Sequence, residues 1–331
     1  MNQLFTFSSM FFTRLNVIIL KKNRQEMRQN LQKVFMLIIL ISSAVYSQQD
    51  PQYTQYMFNT MSINPAYVGS KGHSVFNLLA RTQWVGVEGA PDTQTLSYDT
   101  PLGYSGVGLG FNLVNDAIGP ATETYLDANV SYTIRTSEEG NLALGLKLGG
   151  RLLNVDWTKG IYQDQDDNQL ATPINELLPT IGAGIYYYQP NWYVGLSIPN
   201  FLRTDHYDDS TGGTVAKERT HFFLISGFVF DLNESIKFKP AILSKIVSGA
   251  PLSLDISANF LFNDKFRTGI AYRWGDSISA LLGFQVSDTF QIGYAYDLTT
   301  SNYSNYNSGT HELMMRYEIF RGMPMKSPRF F

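Results

Sequence analysis

From Pro251 to Leu298 the chain alternates, residue by residue, between large apolar side chains and small or polar ones. Leu252, Leu254, Ile256, Ala258, Phe260 and Phe262 alternate with Ser253, Asp255, Ser257 and Asn259. Phe266, Thr268, Ile270, Tyr272 and Trp274 alternate with Arg267, Gly269, Ala271 and Arg273, and two further runs centred on Leu282 and Tyr294 do the same. A period of two predicts β-strands with one greasy face and one wet face. Each run is about ten residues long, which is the length a tilted strand needs to cross a bilayer. The joints Asn263-Asp264, Gly275-Asp276 and Ser287-Asp288 carry turn chemistry.

The alternation extends over most of the chain. It predicts fourteen strands, near 73–82, 93–101, 105–115, 122–134, 141–153, 180–189, 191–198, 219–230, 235–246, 251–262, 265–274, 277–286, 289–298 and 310–320. The strand at 141–153 is very regular, with Leu142, Leu144, Leu146 and Leu148 outward and Ala143, Lys147 and Arg151 inward. The one at 219–230 is less clear, because Phe222 to Ile225 are consecutive apolar residues. Pro240 predicts a bulge or an unpaired position in 235–246. The long joints, 83–92, 154–179, 199–218 and 299–309, all fall after odd-numbered strands, and the joints after even-numbered strands are short. Outer-membrane barrels show this asymmetry, with long outer loops and short periplasmic turns. A soluble sandwich could alternate too, but no helical layer is available to cover so many strands. The predicted fold is all-β: a transmembrane antiparallel β-barrel of about 14 strands, preceded by a short N-terminal lead-in or plug segment.

Composition sharpens this picture. Charged residues make up 16% and aromatics 14%, against about 25% charged in ordinary soluble domains. The net charge of −3 gives no basis for nucleic-acid binding, and the absence of cysteine removes disulfide and thiolate chemistry. Lys33 followed by the apolar run Val34–Ile41 and the small residues before Ser47 has the layout of a secretory signal peptide. Residues 1–47 are therefore expected to be a signal peptide, with 1–26 either a misassigned start or an unusually long n-region. Residues 48–72 precede the first strand. Tyr53, Tyr56, Met57, Thr60 and Met61 fall at helical spacing, with Asp50-Pro51 as a start signal and Asn64-Pro65 as a stop. Two readings stay open for this stretch: a periplasmic lead-in, or a plug lying in the barrel. The barrel is expected over 73–320, and 321–331 form a C-terminal tail.

No nucleophile motif is present, and His73, His206, His221 and His311 are scattered without metal-ligand spacing. Asp164–Asn168 begins like a calcium loop but has Gln169 where glycine is needed and Asn175 where glutamate is needed. That run and Asp205–Asp209 read as wet loops. No catalytic residue, cofactor or metal is expected. The inward charges Asp127, Lys147, Arg151, Asp255, Arg267, Arg273, Asp297, Glu312 and Arg316 have mixed signs. Mixed signs speak against a strongly ion-selective pore and favour a salt-bridged interior over a pore lining or a docking surface.

The two ends of the chain carry a resemblance. Asp50–Asn59 (Asp-Pro-Gln-Tyr-Thr-Gln-Tyr-Met-Phe-Asn) followed by Asn64–Gly69 (Asn-Pro-Ala-Tyr-Val-Gly) resembles the opening of the PorP/SprF family. His311–Tyr317 and the closing Ser327–Phe331 look like the same family, whose members are outer-membrane proteins of the type IX secretion system in Bacteroidetes. The resemblance implies a non-enzymatic role in secretion or gliding. Its implied partners are machinery proteins and the C-terminal domains of secreted adhesins, within outer-membrane lipid. Asp50, Pro51, Gln52, Tyr53, Tyr56, Met57, Phe58, Asn64, Pro65, Tyr67 and Gly69 are the candidate plug or partner-binding residues. A channel for small or hydrophobic solutes is the alternative function.

Overall fold

In the computed structural model, residues 51–103, 105–159, 173–202 and 219–320 are described. The expected signal peptide, Asp50, the two acidic loops at 164–168 and 205–209 and the tail at 321–331 lie outside them. The described strands are β1 (Ser74–Thr82), β2 (Asp92–Pro101), β3 (Val107–Ile118), β4 (Ala121–Arg135), β5 (Asn141–Val155), β6 (Ile174–Tyr188), β7 (Trp192–Ile198), β8 (His221–Phe228), β9 (Phe230–Asn233), β10 (Ile236–Val247), β11 (Ser253–Phe262), β12 (Phe266–Arg273), β13 (Ser277–Gln285), β14 (Phe290–Thr299) and β15 (Thr310–Ile319). Apart from β8 and β9, which do not pair with each other, each pairs antiparallel with its neighbours in chain order. β15 pairs along the whole of β1, from Ser74↔Ile319 to Thr82↔His311, and the sheet closes on itself.

β8 and β9 occupy one position in the wall, since both pair with β10. The barrel therefore has fourteen staves. The break between them falls opposite Pro240, whose ring nitrogen has no hydrogen to give the ladder. β6 starts at Ile174, earlier than the expected residue 180, because its ladder with β5 runs on to Val155↔Ile174. Pro179 is tolerated within it because β7 ends at Ile198, opposite Ala183, so one side of β6 is free of a partner strand there. Between β11 and β12, Asn263 and Asp264 both take positive φ, 50° and 53°. That is the double left-handed geometry of a tight hairpin turn.

The joints after β1, β5, β7 and β14 are long, while those after β2, β4, β6 and β11 are short. The long-loop end is the outer end of an outer-membrane barrel, and both β1 and β15 meet the periplasmic end. Along β5, Leu144, Leu146 and Leu148 are exposed to the outside while Ala143, Lys147 and Arg151 are buried inside. Residues 51–72 run inside the barrel, and Tyr53, Tyr56, Met57, Phe58, Met61, Ile63, Tyr67 and Val68 are buried there in one cluster with wall residues such as Ala143, Tyr186, Phe223 and Met314. The single helix expected in this stretch is reduced to one α-turn, α1 (Thr60–Ile63), and a 3-10 turn at Pro65–Tyr67. Turns replace the earlier part because the amides that would start the helix are taken by the wall: Thr54 and Gln55 both donate to Glu312.

Arginine on the lipid face should destabilise the barrel in proportion to depth. Leu146→Arg, near the middle of β5, is expected to cost about 2–4 kcal/mol, and Leu177→Arg, near the outer end of β6, about 0–1 kcal/mol. Urea titration with heat-modifiable gel mobility as the readout checks the difference.

Candidate functional site

The inner segment is held by three groups of wall residues, and the first sits at the outer end. Thr54 N and Gln55 N donate to the two carboxylate oxygens of Glu312, at 2.9 and 2.7 Å. Arg81 bridges the same cluster, with Nη1 2.9 Å from Glu312 and Nη2 2.8 Å from Asp297. Thr54 Oγ1 donates to Asp297 at 2.7 Å and accepts from Arg81 Nη1 at 3.0 Å. Beside it, Gln52 Nε2 donates to Asp255 at 2.7 Å, and Asp255 is paired with Arg273 Nε at 2.8 Å. Arg273 also reaches Asp276 at 3.1 Å. Every charge in this group is paired, as burial demands.

The second group holds the middle. The Phe58 ring lies under two guanidinium groups, with Arg267 Cζ 3.9 Å and Arg316 Cζ 4.8 Å from its centroid. Arg316 also donates to the Phe58 carbonyl at 3.0 Å and to Asn77 at 2.8 Å. Arg267 is 3% exposed, and its two terminal nitrogens have no hydrogen-bond partner among the described residues. Its charge rests on the negative face of the ring. Tyr56 OH meets Ser257 Oγ at 3.4 Å.

The third group holds the far end against β3 to β7. Asn64 caps the 3-10 turn by accepting from Ala66 N at 2.9 Å and donates to the Ile185 carbonyl at 3.1 Å. Pro65 follows it at the first position of the turn, where its missing N–H does no harm. Ser197 and Ser131 donate to the carbonyls of Ile63 and Val68 at 2.6 and 2.7 Å. Gly69 N donates to Asp99 at 3.1 Å. The backbone of the segment thus finds its partners in wall side chains. Tyr67 packs edge-on against Tyr186, with centroids 5.6 Å apart. The wall thins where the segment touches it: a Cβ at Gly145 would fall on the backbone of Pro65 and Ala66, and one at Gly184 on Asn64. At the periplasmic mouth Lys71 pairs with Glu318 at 2.5 Å. Burial, aided by the nearby Arg316, pulls the Lys71 ammonium down to about 8 against the opposing pull of Glu318.

A small open crevice remains beside the segment, lined by Pro51, Tyr53, Ser62, Ile63, Asn112, Tyr125, Asp127, Lys147 and Phe223 among others. Lys147 pairs with Asp127 at 3.0 Å, and Thr180 donates to the same carboxylate at 2.7 Å. Arg151 lies 3.5 Å from Glu123 and over the Tyr125 ring. Among the described residues no cluster of His, Asp and Glu is arranged to hold a metal.

The model of the type IX secretion system membrane protein PorP/SprF family matches residues 45–317. The chain belongs to the PorP/SprF family. Membership makes it a membrane component of the type IX secretion system, and with the closed barrel it places the protein in the outer membrane. No curated protein sequence matches it. Solved structures similar in fold include the Acinetobacter baumannii outer membrane protein Omp33, 6% identical with a TM-score of 0.46, where the match covers 75% of this chain and 98% of that one. A Pseudomonas aeruginosa FadL homologue is 12% identical with a TM-score of 0.47, covering 82% of this chain and 95% of that one. The CymD monoaromatic hydrocarbon channel is 10% identical with a TM-score of 0.44, covering 80% and 100%.

In this PorP/SprF chain the residues singled out from sequence gather in one place. Tyr53, Tyr56, Met57, Phe58, Asn64, Pro65 and Tyr67 are buried in the lumen, Pro51 and Gln52 are half-buried near its outer end, and Gly69 is at its periplasmic end. The nine inward charges all face the interior, but in separate groups: Lys147 with Asp127, Arg273 with Asp255, Arg151 beside Glu123, Asp297 and Glu312 on Arg81, and Arg267 and Arg316 over Phe58. Reading the sequence missed Arg81 and Glu123, which supply counter-charges, and the separate Lys71–Glu318 pair. The clustering of the inward glycines 108, 110, 145, 184 and 195 on β3, β5, β6 and β7 marks where Met61 to Val68 lie against the wall, which the alternation by itself does not reveal.

Glu312→Ala removes the acceptor of two segment amides and leaves Arg81 with Asp297 alone. Breaking a buried ion pair from one side costs about 3–5 kcal/mol. Urea unfolding of the detergent-solubilised protein should show a loss of that size, while a substitution of exposed Glu88 should show none.

Proposed function

We propose that the protein works by binding other proteins and not by conducting solutes. In this reading it is a non-enzymatic component of the type IX secretion and gliding machinery that assists the export or surface anchoring of secreted proteins such as adhesins. Residues 51–72 act as a plug that keeps the lumen closed. The observation that carries the reading is the fit of the segment within the barrel. Eight large apolar side chains of the segment are buried in one cluster with the wall, at roughly 1.5–3 kcal/mol per fully buried side chain. Its backbone is hydrogen-bonded from three sides by wall residues. Conduction through the lumen would first require the segment to move.

The test compares the whole protein with a variant lacking residues 51–69 behind an intact signal peptide. The whole protein should be closed in planar bilayers and should copurify from its native outer membrane with other type IX components. The variant should still insert, should open a conducting pore and should fail to bring cargo to the cell surface. An intact protein that conducts freely, or a variant that inserts, stays closed and supports normal surface display, would overturn the proposal.

A further inference from the structure

The inner segment has a direction. Its first contacts are with the ends of strands that meet the long loops. Gln52 is bonded to Ser253 and Asp255, at the start of β11, and Asp255 is held by Arg273, the last residue of β12. Thr54 lies among Arg81, Asp297 and Glu312, close to the ends of β1 and β14 and the start of β15. Its last contacts are with the opposite ends. Val68 meets Ser131 near the end of β4, Gly69 meets Asp99 near the end of β2, and Lys71 pairs with Glu318, next to last in β15. Phe58, between the two sets, meets Arg267 and Arg316. The chain therefore passes through the lumen from the long-loop mouth to the short-turn mouth and turns back into β1 there. Short turns are periplasmic and long loops are external in barrels of this class.

We infer that the start of the inner segment, Pro51 to Tyr53, is presented to the cell exterior, and its end, at Lys71 and Glu318, to the periplasm. Pro51 and Gln52 are half-buried while Thr54 to Thr60 are buried, as expected of a chain entering at a mouth. The open crevice beside Pro51 and Tyr53 is walled by Asn112, Val114 and Tyr125 from the outer parts of β3 and β4. A segment running the other way would close the lumen equally well, so this polarity stands or falls separately from the plug.

The chain has no cysteine, so single cysteines report accessibility without background. Pro51→Cys is compared in the full-length protein with Ser304→Cys, in the exposed joint between β14 and β15, and with Glu138→Cys, in the exposed turn between β4 and β5. Heat-modifiable mobility confirms that each variant is folded. With a membrane-impermeant maleimide on intact cells, Pro51→Cys and Ser304→Cys should be labelled, and Glu138→Cys only after the outer membrane is permeabilised. Labelling of Pro51→Cys only after permeabilisation, or in neither state, overturns the inference. Exchange of the two control results overturns it as well, by reversing the barrel.

Discussion

The carboxylate of Glu312 joins the two things this barrel has to hold together. It lies on the closing strand, and its register partner across the seam is Arg81 on the first strand. The ion pair therefore crosses the line along which the sheet shuts. Its two oxygens also accept successive amides from the inner segment. Closure is compulsory in lipid, where an open edge leaves backbone groups unsatisfied at several kcal/mol each. The buried ion pair adds little to that on its own, because desolvation offsets most of its attraction. What it adds is registry. A slip of one residue between β15 and β1 would turn Glu312 toward the lipid, and Thr54, Gln55 and Arg81 would lose their acceptor together.

Much of this fold could be read from the sequence because one side of the wall meets hydrocarbon. That contact imposes a strict period of two wherever the other side is polar, as in β5, β12 and β14. The pattern blurs where the inner face meets the segment instead of water. Phe223 and Ile225 are turned inward against the segment's apolar cluster, so β8 is greasy on both faces. Ala143, expected in a wet interior, is fully buried in the same cluster. Leu281 is turned inward too, against Ala271 and Ala295. The early part of the segment was read as a helix from the spacing of its tyrosines and methionines. That spacing describes which side chains share a side, but it does not reveal that Glu312, some 257 residues away, occupies the amides. Ion-pair partners are hidden for the same reason: Arg81 and Asp297 are neighbours only once the sheet has closed.

The interior charges fall into two kinds. Most are matched within the wall, as Lys147 is with Asp127 and Arg273 with Asp255, and would remain matched whatever lay in the lumen. Arg267 and Arg316 are different, because both are set against the ring and backbone of Phe58. Their surroundings depend on the segment being in place. The segment is thus asymmetric in what its removal would expose: neutral pairs on one side, and on the other Arg267 stripped of the ring on which its charge rests.

The near contacts between the segment and the wall glycines bear on how such an object can be made. The segment is continuous with β1 at the periplasmic mouth, so only its other end could ever be fed through a finished ring. That end would have to travel the whole length of the lumen, and once seated the segment lies so close to the wall that a methyl group added at Gly145 or Gly184 would fall on it. Ring closure and the seating of the segment meet at the seam, where one carboxylate, that of Glu312, serves both.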